Sequence, residues 1–278
     1  MKNDNLLILL TNDDGIHAPG LFALYQEIKK LGKVLIVAPD SERSAVGHAI
    51  TLSQPLRVWP WPPADRAAHP IPPKSTNFTD TDDGVWGYAV SGTPADCVKI
   101  AYWALLQEHK PDLLISGINH GSNTGLNVIY SGTVSAATEG TILNIPSFAI
   151  SLTTYEEADF SFAAKFARKL ATVILQNGLP VGTYLNVNVP AVPENQIRGI
   201  AITRQGQAVY REKFEQRKDP QNKTYYWLTG YKINLENDGP DTDDYAILNN
   251  MISITPVHYD LTNYQFLDKL KQWKLKLE

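Results

Sequence analysis

The feature that most constrains this chain is a run of short apolar segments that alternate with helical patterns and are each followed by a polar, glycine-containing cluster. Residues 6–10 (LLILL) are continuously apolar, as expected of a parallel strand covered on both faces. Leu21, Leu24, Tyr25, Ile28 and Leu31 then recur at helical spacing, and Gly32 stands where a helix stop belongs. Residues 34–38 give the next buried strand, closed by Pro39, and 85–90 another. A helix opened by Pro94 runs to about Gln107, 113–116 is a strand, 133–143 a helix and 147–151 a strand. Such alternation predicts an α/β fold: a Rossmann-like three-layer sandwich with a mostly parallel sheet and right-handed crossovers.

Two regions break the alternation. Residues 59–83 contain six prolines among polar residues and predict an irregular surface insertion with no regular element. Beyond 183 the pattern shifts to short strands at 184–189, 199–203, 224–228 and 251–255, then a helix-like tail at 264–277. The expected organisation is a catalytic core over 1–182 and a β-rich extension with its tail over 183–278, the extension not folding by itself.

Composition narrows the function classes. The formal net charge is -4 and no Lys/Arg run stands out, which argues against a nucleic-acid polymer as partner, because such surfaces need clustered positive charge. Cys97 is the only cysteine, so neither an intrachain disulfide nor a cysteine zinc site can form; in its apolar helical stretch it reads as a core residue. No apolar run approaches the roughly 18–20 residues of a membrane helix, and the 6–10 run is too short for a signal peptide. The expected setting is cytoplasmic, with no membrane partner.

Four polar clusters carry the chemistry. Thr11-Asn12-Asp13-Asp14-Gly15 follows the first strand, where open α/β sheets bind ligands. Adjacent carboxylates repel each other, and a divalent cation relieves that repulsion; hard oxygen ligands suit Mg²⁺, Mn²⁺ or Ca²⁺. An isolated Asp-Asp-Gly would equally serve as a solvated turn that caps the next helix. After the second strand comes a cluster with Arg43, a bidentate anion binder, Ser44, a small oxygen ligand, and His48, able to orient phosphate or transfer a proton. The third, from Ser116 to Asn123, offers the neutral amides of Asn119 and Asn123; its evenly spaced glycines do not form a dinucleotide fingerprint. The fourth enters a helix with Ser131, Gly132 and Thr133, which suit phosphate at a helix N-terminus. From the residues alone, the four clusters point to metal-assisted chemistry on a phosphorylated small molecule.

The chain resembles the SurE (survival protein E) family of metal-dependent nucleoside 5′/3′-monophosphate phosphatases. The resemblance is carried by residues 11–15, 38–51 (APDSERSAVGHAIT), 91–97 (SGTPADC), 111–119 (PDLLISGIN) and 128–140 (VIYSGTVSAATEG), with weaker echoes at 185–190, 242–246 and 252–256. It implies Asp13, Asp14, Ser44 and Asn119 as ligands of one divalent metal ion per subunit, Mg²⁺ or Mn²⁺. It implies hydrolysis of nucleoside 5′-monophosphates, with 3′-monophosphates and short polyphosphate as further substrates. Asp13, Asp14 and His48 are then the catalytic candidates, and Asn123, Ser131, Gly132 and Thr133 the phosphate-binding ones. It further implies a homo-oligomer, dimer or tetramer, in which the 264–277 tail exchanges between subunits. Two features depart from the pattern: the long proline-rich segment, and Leu126-Asn127 where some relatives carry acidic residues. The competing readings are a nucleotide- or phosphate-binding protein without turnover, a structural assembly protein, and covalent catalysis by an aspartate. The last suits acids separated by one residue better than the adjacent pair found here.

Overall fold

A computed structural model of the chain describes residues 3–61, 87–156, 158–233, 239–275 and 277. Its centre is a nine-stranded sheet in the order β3-β4-β2-β1-β5-β6-β7-β11-β8. In chain order the strands are β1 (Asn3–Thr11), β2 (Gly32–Pro39), β3 (Val58–Trp61), β4 (Gly87–Val90), β5 (Leu113–His120), β6 (Ser147–Leu152), β7 (Thr183–Val189), β8 (Gly199–Ile202) and β11 (Met251–His258). Only the β3–β4 and β7–β11 pairs are antiparallel. The predicted Rossmann-like α/β architecture is therefore present. β7, β8 and β11 extend the same sheet as the core strands, so the region after residue 183 is continuous with it. β9 (Val209–Lys218) and β10 (Thr224–Ile233) form a separate antiparallel hairpin.

Two helical layers cover the sheet, and period-two alternation in β1 sends its side chains into both. Ile8 and Leu10 enter one core with Leu21, Leu24 and Ile28 of α1 (Pro19–Ile28) and Ala163, Ala164 and Ala167 of α4 (Ser161–Asn177). Leu7 and Leu9 enter the other with Cys97 and Val98 of α2 (Pro94–Ile100) and Ala136 of α3 (Gly132–Ile142). Cys97 is fully buried there. Two further helices, α5 (Asp243–Leu248) and α6 (Tyr264–Gln272), follow the hairpin. Among the described residues no helix is long and apolar enough to cross a membrane.

Several sequence expectations shift. Residues 59–61 of the supposed irregular insertion belong to β3. Pro60 is tolerated because β3 is the sheet edge, so its missing N–H breaks no inner ladder. The rest of the proline-rich insertion, residues 62–83, and the start of the 85–90 strand lie outside the described residues. The first helix ends at Ile28, and Gly32 opens β2 instead of stopping the helix. A Cβ at Gly32 would stand 2.6 Å from the Leu6 carbonyl oxygen across the sheet. The helix expected up to Gln107 is α-helical only to Ile100 and continues as a π-helical turn, Ala101–Leu105. β5 runs four residues past the expected 116, so Asn119 lies in a strand and not in a following loop. The tail is helical over Tyr264–Gln272.

α1 packs closely on β5 at Gly20. A Cβ there would lie 2.1 Å from the Ile118 carbonyl oxygen, a backbone atom that cannot rotate away. Gly20→Ala is expected to destabilise the fold by about 3 kcal/mol, read as a lower urea midpoint at unchanged slope. A cost below about 1 kcal/mol would contradict this packing.

Candidate functional site

β1 is an inner strand of the sheet: α1 leads from it to β2 on one side, and the chain returns to β5 on the other. Strand order thus reverses between β1 and β5, the switch point where a crevice opens at strand C-termini. Asp13 and Asp14 leave β1 at this point, and Asn119 sits near the end of the adjoining β5. Pairing of Thr11 with Ser116 sets the relative height of the two strands. β5 then changes register against β6 between Gly117 and Asn119. Gly117 has φ 140°, and a Cβ there would meet the Ile150 carbonyl at 2.2 Å, so only glycine carries the strand through this turn.

The loop after β1 touches each of the other three clusters. The Asp13 carbonyl accepts from the Arg43 N–H at 2.7 Å. The Asp14 carboxylate accepts from the His120 N–H at 3.1 Å. The Asp13 carboxylate takes the Thr133 hydroxyl and the backbone N–H groups of Gly132 and Thr133, the first donors of α3. Gly132 is glycine because a Cβ would press on the Asp13 side chain, 2.7 Å from its Cβ. The structure therefore gathers Asp13, Asp14, Asn119 and the Ser131–Thr133 turn, with the Ser44 loop tied in through Arg43.

Burial decides the electrostatics. Asp13 is only 4% exposed, and burial raises its pKa against the pull of the Thr133 and Gly132 donors. The Asp14 carboxyl is pushed up to about 6, first by burial and then by the neighbouring Asp13 charge, with the His120 N–H opposing. A pair of carboxylates held this way is short of positive charge. The other donors fit a hard cation. The Asn119 Nδ2 donates to the Gly121 carbonyl at 2.7 Å, which leaves its Oδ1 as the free atom. Ser44 is exposed and its hydroxyl donates to Glu42 at 2.7 Å. Two carboxylates, an amide oxygen and a hydroxyl make an all-oxygen set of the kind Mg²⁺ and Mn²⁺ take.

Other candidates are engaged differently. Asn123 is buried, and its backbone and amide groups bind the sheet: N–H to Asn188 Oδ1 at 2.8 Å, Nδ2 to Ser151 Oγ at 2.9 Å, and its carbonyl to the amides of Asn186 and Asn188. Ser131 caps α3 by accepting from the Val134 N–H at 3.1 Å. Arg43 Nη2 donates to Ser91 O at 3.2 Å and meets Asp40 at 3.4 Å. The His48 ring turns to Glu139, with Nε2 at 3.0 Å from its carboxylate. Sequence reasoning gave no role to Glu139, Lys99, Asn186 or Asn188. The alternating asparagines of β7 and the glutamate two turns into α3 were the available signals.

The family model for Survival protein SurE matches residues 8–212. A protein named 5′-nucleotidase SurE from Syntrophus aciditrophicus is 52% identical over 263 residues, 95% of this chain and 92% of that protein. Another of that name from Carboxydothermus hydrogenoformans is 48% identical over 275 residues, covering 98% and 97%. The crystal structure of the SurE protein from Aquifex aeolicus matches with a TM-score of 0.79 at 40% identity, over 97% of this chain and 100% of that one. Motifs, fold and near-full-length identity agree, and the chain belongs to the SurE family.

Proposed function

We propose that this chain is a 5′-nucleotidase that hydrolyses nucleoside 5′-monophosphates to nucleoside and phosphate with the help of a divalent cation, Mg²⁺ or Mn²⁺. The observation that carries the cation requirement is the mutually repelling Asp13–Asp14 pair at the switch point, Asp13 buried and Asp14 half-buried; the activity follows the names of relatives about half identical along the whole chain. Asp13, Asp14, Ser44 and Asn119 would hold the cation. When bound, it supplies Lewis acidity toward a phosphoryl oxygen and makes water a stronger nucleophile near neutral pH.

The chain's own groups do the rest. Asp13 is fixed by Thr133 and Gly132, and Asp14 by the His120 N–H, so neither carboxylate reorganises during reaction. A phosphoryl group beside Asp13 lies at the positive end of α3 and shares its Gly132 and Thr133 N–H groups, with the Ser131 hydroxyl beside them. Asn123 acts from below, holding the loop that leads into this turn. In the net reaction water oxygen bonds to phosphorus, the bond from phosphorus to the 5′ oxygen breaks, and a proton ends on the departing nucleoside hydroxyl. The same site accommodates 3′-monophosphates and short polyphosphate as further substrates. The reading also includes a cytoplasmic homo-oligomer, dimer or tetramer.

The direct test is phosphate release from a panel of nucleoside 5′- and 3′-monophosphates with Mg²⁺, Mn²⁺ or EDTA. Release that EDTA abolishes is expected. Folded protein that releases nothing with either cation would instead be a nucleotide-binding protein without turnover.

Asp14→Asn separates function from stability. Activity should fall about 100-fold or more, the scale of losing a preorganised electrostatic group. In EDTA the same variant should be more stable. The Asp14 folded pKa of about 6 lies above its unfolded value, so the ionised carboxylate opposes folding, fully above about pH 6 and progressively less toward pH 4. Removing that charge should stabilise by about 3 kcal/mol at pH 7.5, with the gain fading on acidification. Urea unfolding at several pH values reads this out, and a destabilised variant at pH 7.5 would contradict the electrostatic account.

A further inference from the structure

Ser44, the one proposed ligand not anchored to the end of a strand, lies in a connection from residue 40 to 57 that contains neither helix nor strand. Such a segment holds an oxygen in place only if something outside it does the holding. Three sets of contacts do so. Arg43 N–H donates to Asp13 and Gly47 N–H to the Tyr130 carbonyl at 3.0 Å. Farther along, Thr51 donates from N–H and hydroxyl to the buried Asp96 carboxylate at 2.9 and 2.7 Å, and the Thr93 hydroxyl donates to the Ala49 carbonyl. Between these, the His48 side chain reaches Glu139.

Glu139 is the anchor that reaches the loop closest to Ser44 through a side chain, at His48. Its side chain is 3% exposed against 33% for His48, and it is shared by two elements, since Lys99 of α2 donates to its other oxygen at 2.6 Å. A buried carboxylate is costly to leave unpaired, so Glu139 holds both partners. It lies seven residues after Gly132 on the same face of α3, about 10 Å along the helix from the N-terminal turn that meets Asp13. The His48 ring is thus engaged by a carboxylate two turns along α3 from the turn where phosphate is expected.

We propose that Glu139, with Lys99 and His48, forms a positioning cluster that fixes the Ser44 loop against α2 and α3, and that His48 acts by holding this loop instead of by transferring a proton. The inference rests on the nucleotidase reading only through the role of Ser44. In this cluster the His48 Nε2–H is the group that matters, and a glutamine amide can place a donor near the same position.

The test compares His48→Ala, His48→Gln and Glu139→Gln with the wild-type chain. Two readouts are taken: the kcat/KM pH profile for a nucleoside 5′-monophosphate, and amide hydrogen exchange of residues 41–50 without added cation. His48→Ala should lower kcat/KM by about tenfold or more, as expected of a misplaced active-site group. His48→Gln should recover most of that loss with the pH profile keeping its shape. Exchange at 41–50 should quicken in His48→Ala and Glu139→Gln but not in His48→Gln. The proposal is overturned if His48→Gln is as impaired as His48→Ala and loses one limb of the pH profile, which is the signature of proton transfer. It is equally overturned if exchange in His48→Ala matches wild type. The His48 variants sit at a partly exposed position, so they remain informative if the buried Glu139→Gln fails to fold. Exchange also decides the point if the wild-type chain shows no turnover, an outcome that would count against the nucleotidase reading alone.

Discussion

The Asp13 carboxylate beneath the first turn of α3 is the interaction on which the rest of the site depends. A nearly inaccessible carboxylate is tolerated because the helix offers it hydroxyl and N–H donors and a favourable dipole. That arrangement requires a glycine at 132, where any side chain would collide with Asp13. It also fixes how close β1 and α3 come. Asp14 then loses solvent and stands beside a charge that cannot move away, and its affinity for a proton rises, first through burial and then through Asp13. The pair is short of positive charge, which supports the proposed cation site.

Around this pair the fold divides its labour. The sheet supplies precision: β1 and β5 are locked by the Thr11–Ser116 register, and the network of Ser151, Asn186 and Asn188 grips Asn123 from the neighbouring strands. Helices supply charge, through the N-terminus of α3 and the buried carboxylates Asp96 and Glu139. The irregular connection after β2 supplies Ser44 and borrows its rigidity from both. Polar groups near the cleft are thus mostly structural: of the residues that suit phosphate chemically, several are already bound to the protein.

Much of this was legible in the sequence. Continuous apolar runs marked β1, β2, β5 and β6 because parallel strands covered on both faces have no polar side, and the polar clusters after them located the crevice. The limits are equally physical. α4 went unread although its buried face, Ala163, Phe166, Ala167, Ala171 and Ile174, recurs at helical spacing. β3 was hidden by Pro60, acceptable only because the strand is an edge, a fact of topology and not of local composition. Asn119 was expected in a loop because Gly117 looks like a strand terminator, whereas here it turns the strand and lets it continue. Asn123 and His48 were chosen for their chemistry, but pairing across 28 and 91 residues assigns their side chains to Ser151 and Glu139, which spacing alone does not reveal.

The central claim, that Asp13 and Asp14 form a charge-deficient pair completed by a divalent cation, is tested most directly by titrating metal-stripped protein with Mn²⁺ in a calorimeter at pH 6, in two buffers of different ionisation enthalpy. With Asp14 half-titrated near that pH, the account predicts saturable binding accompanied by proton release, and loss of both in Asp13→Asn. Absence of saturable binding, or binding of equal strength in the variant, would contradict it.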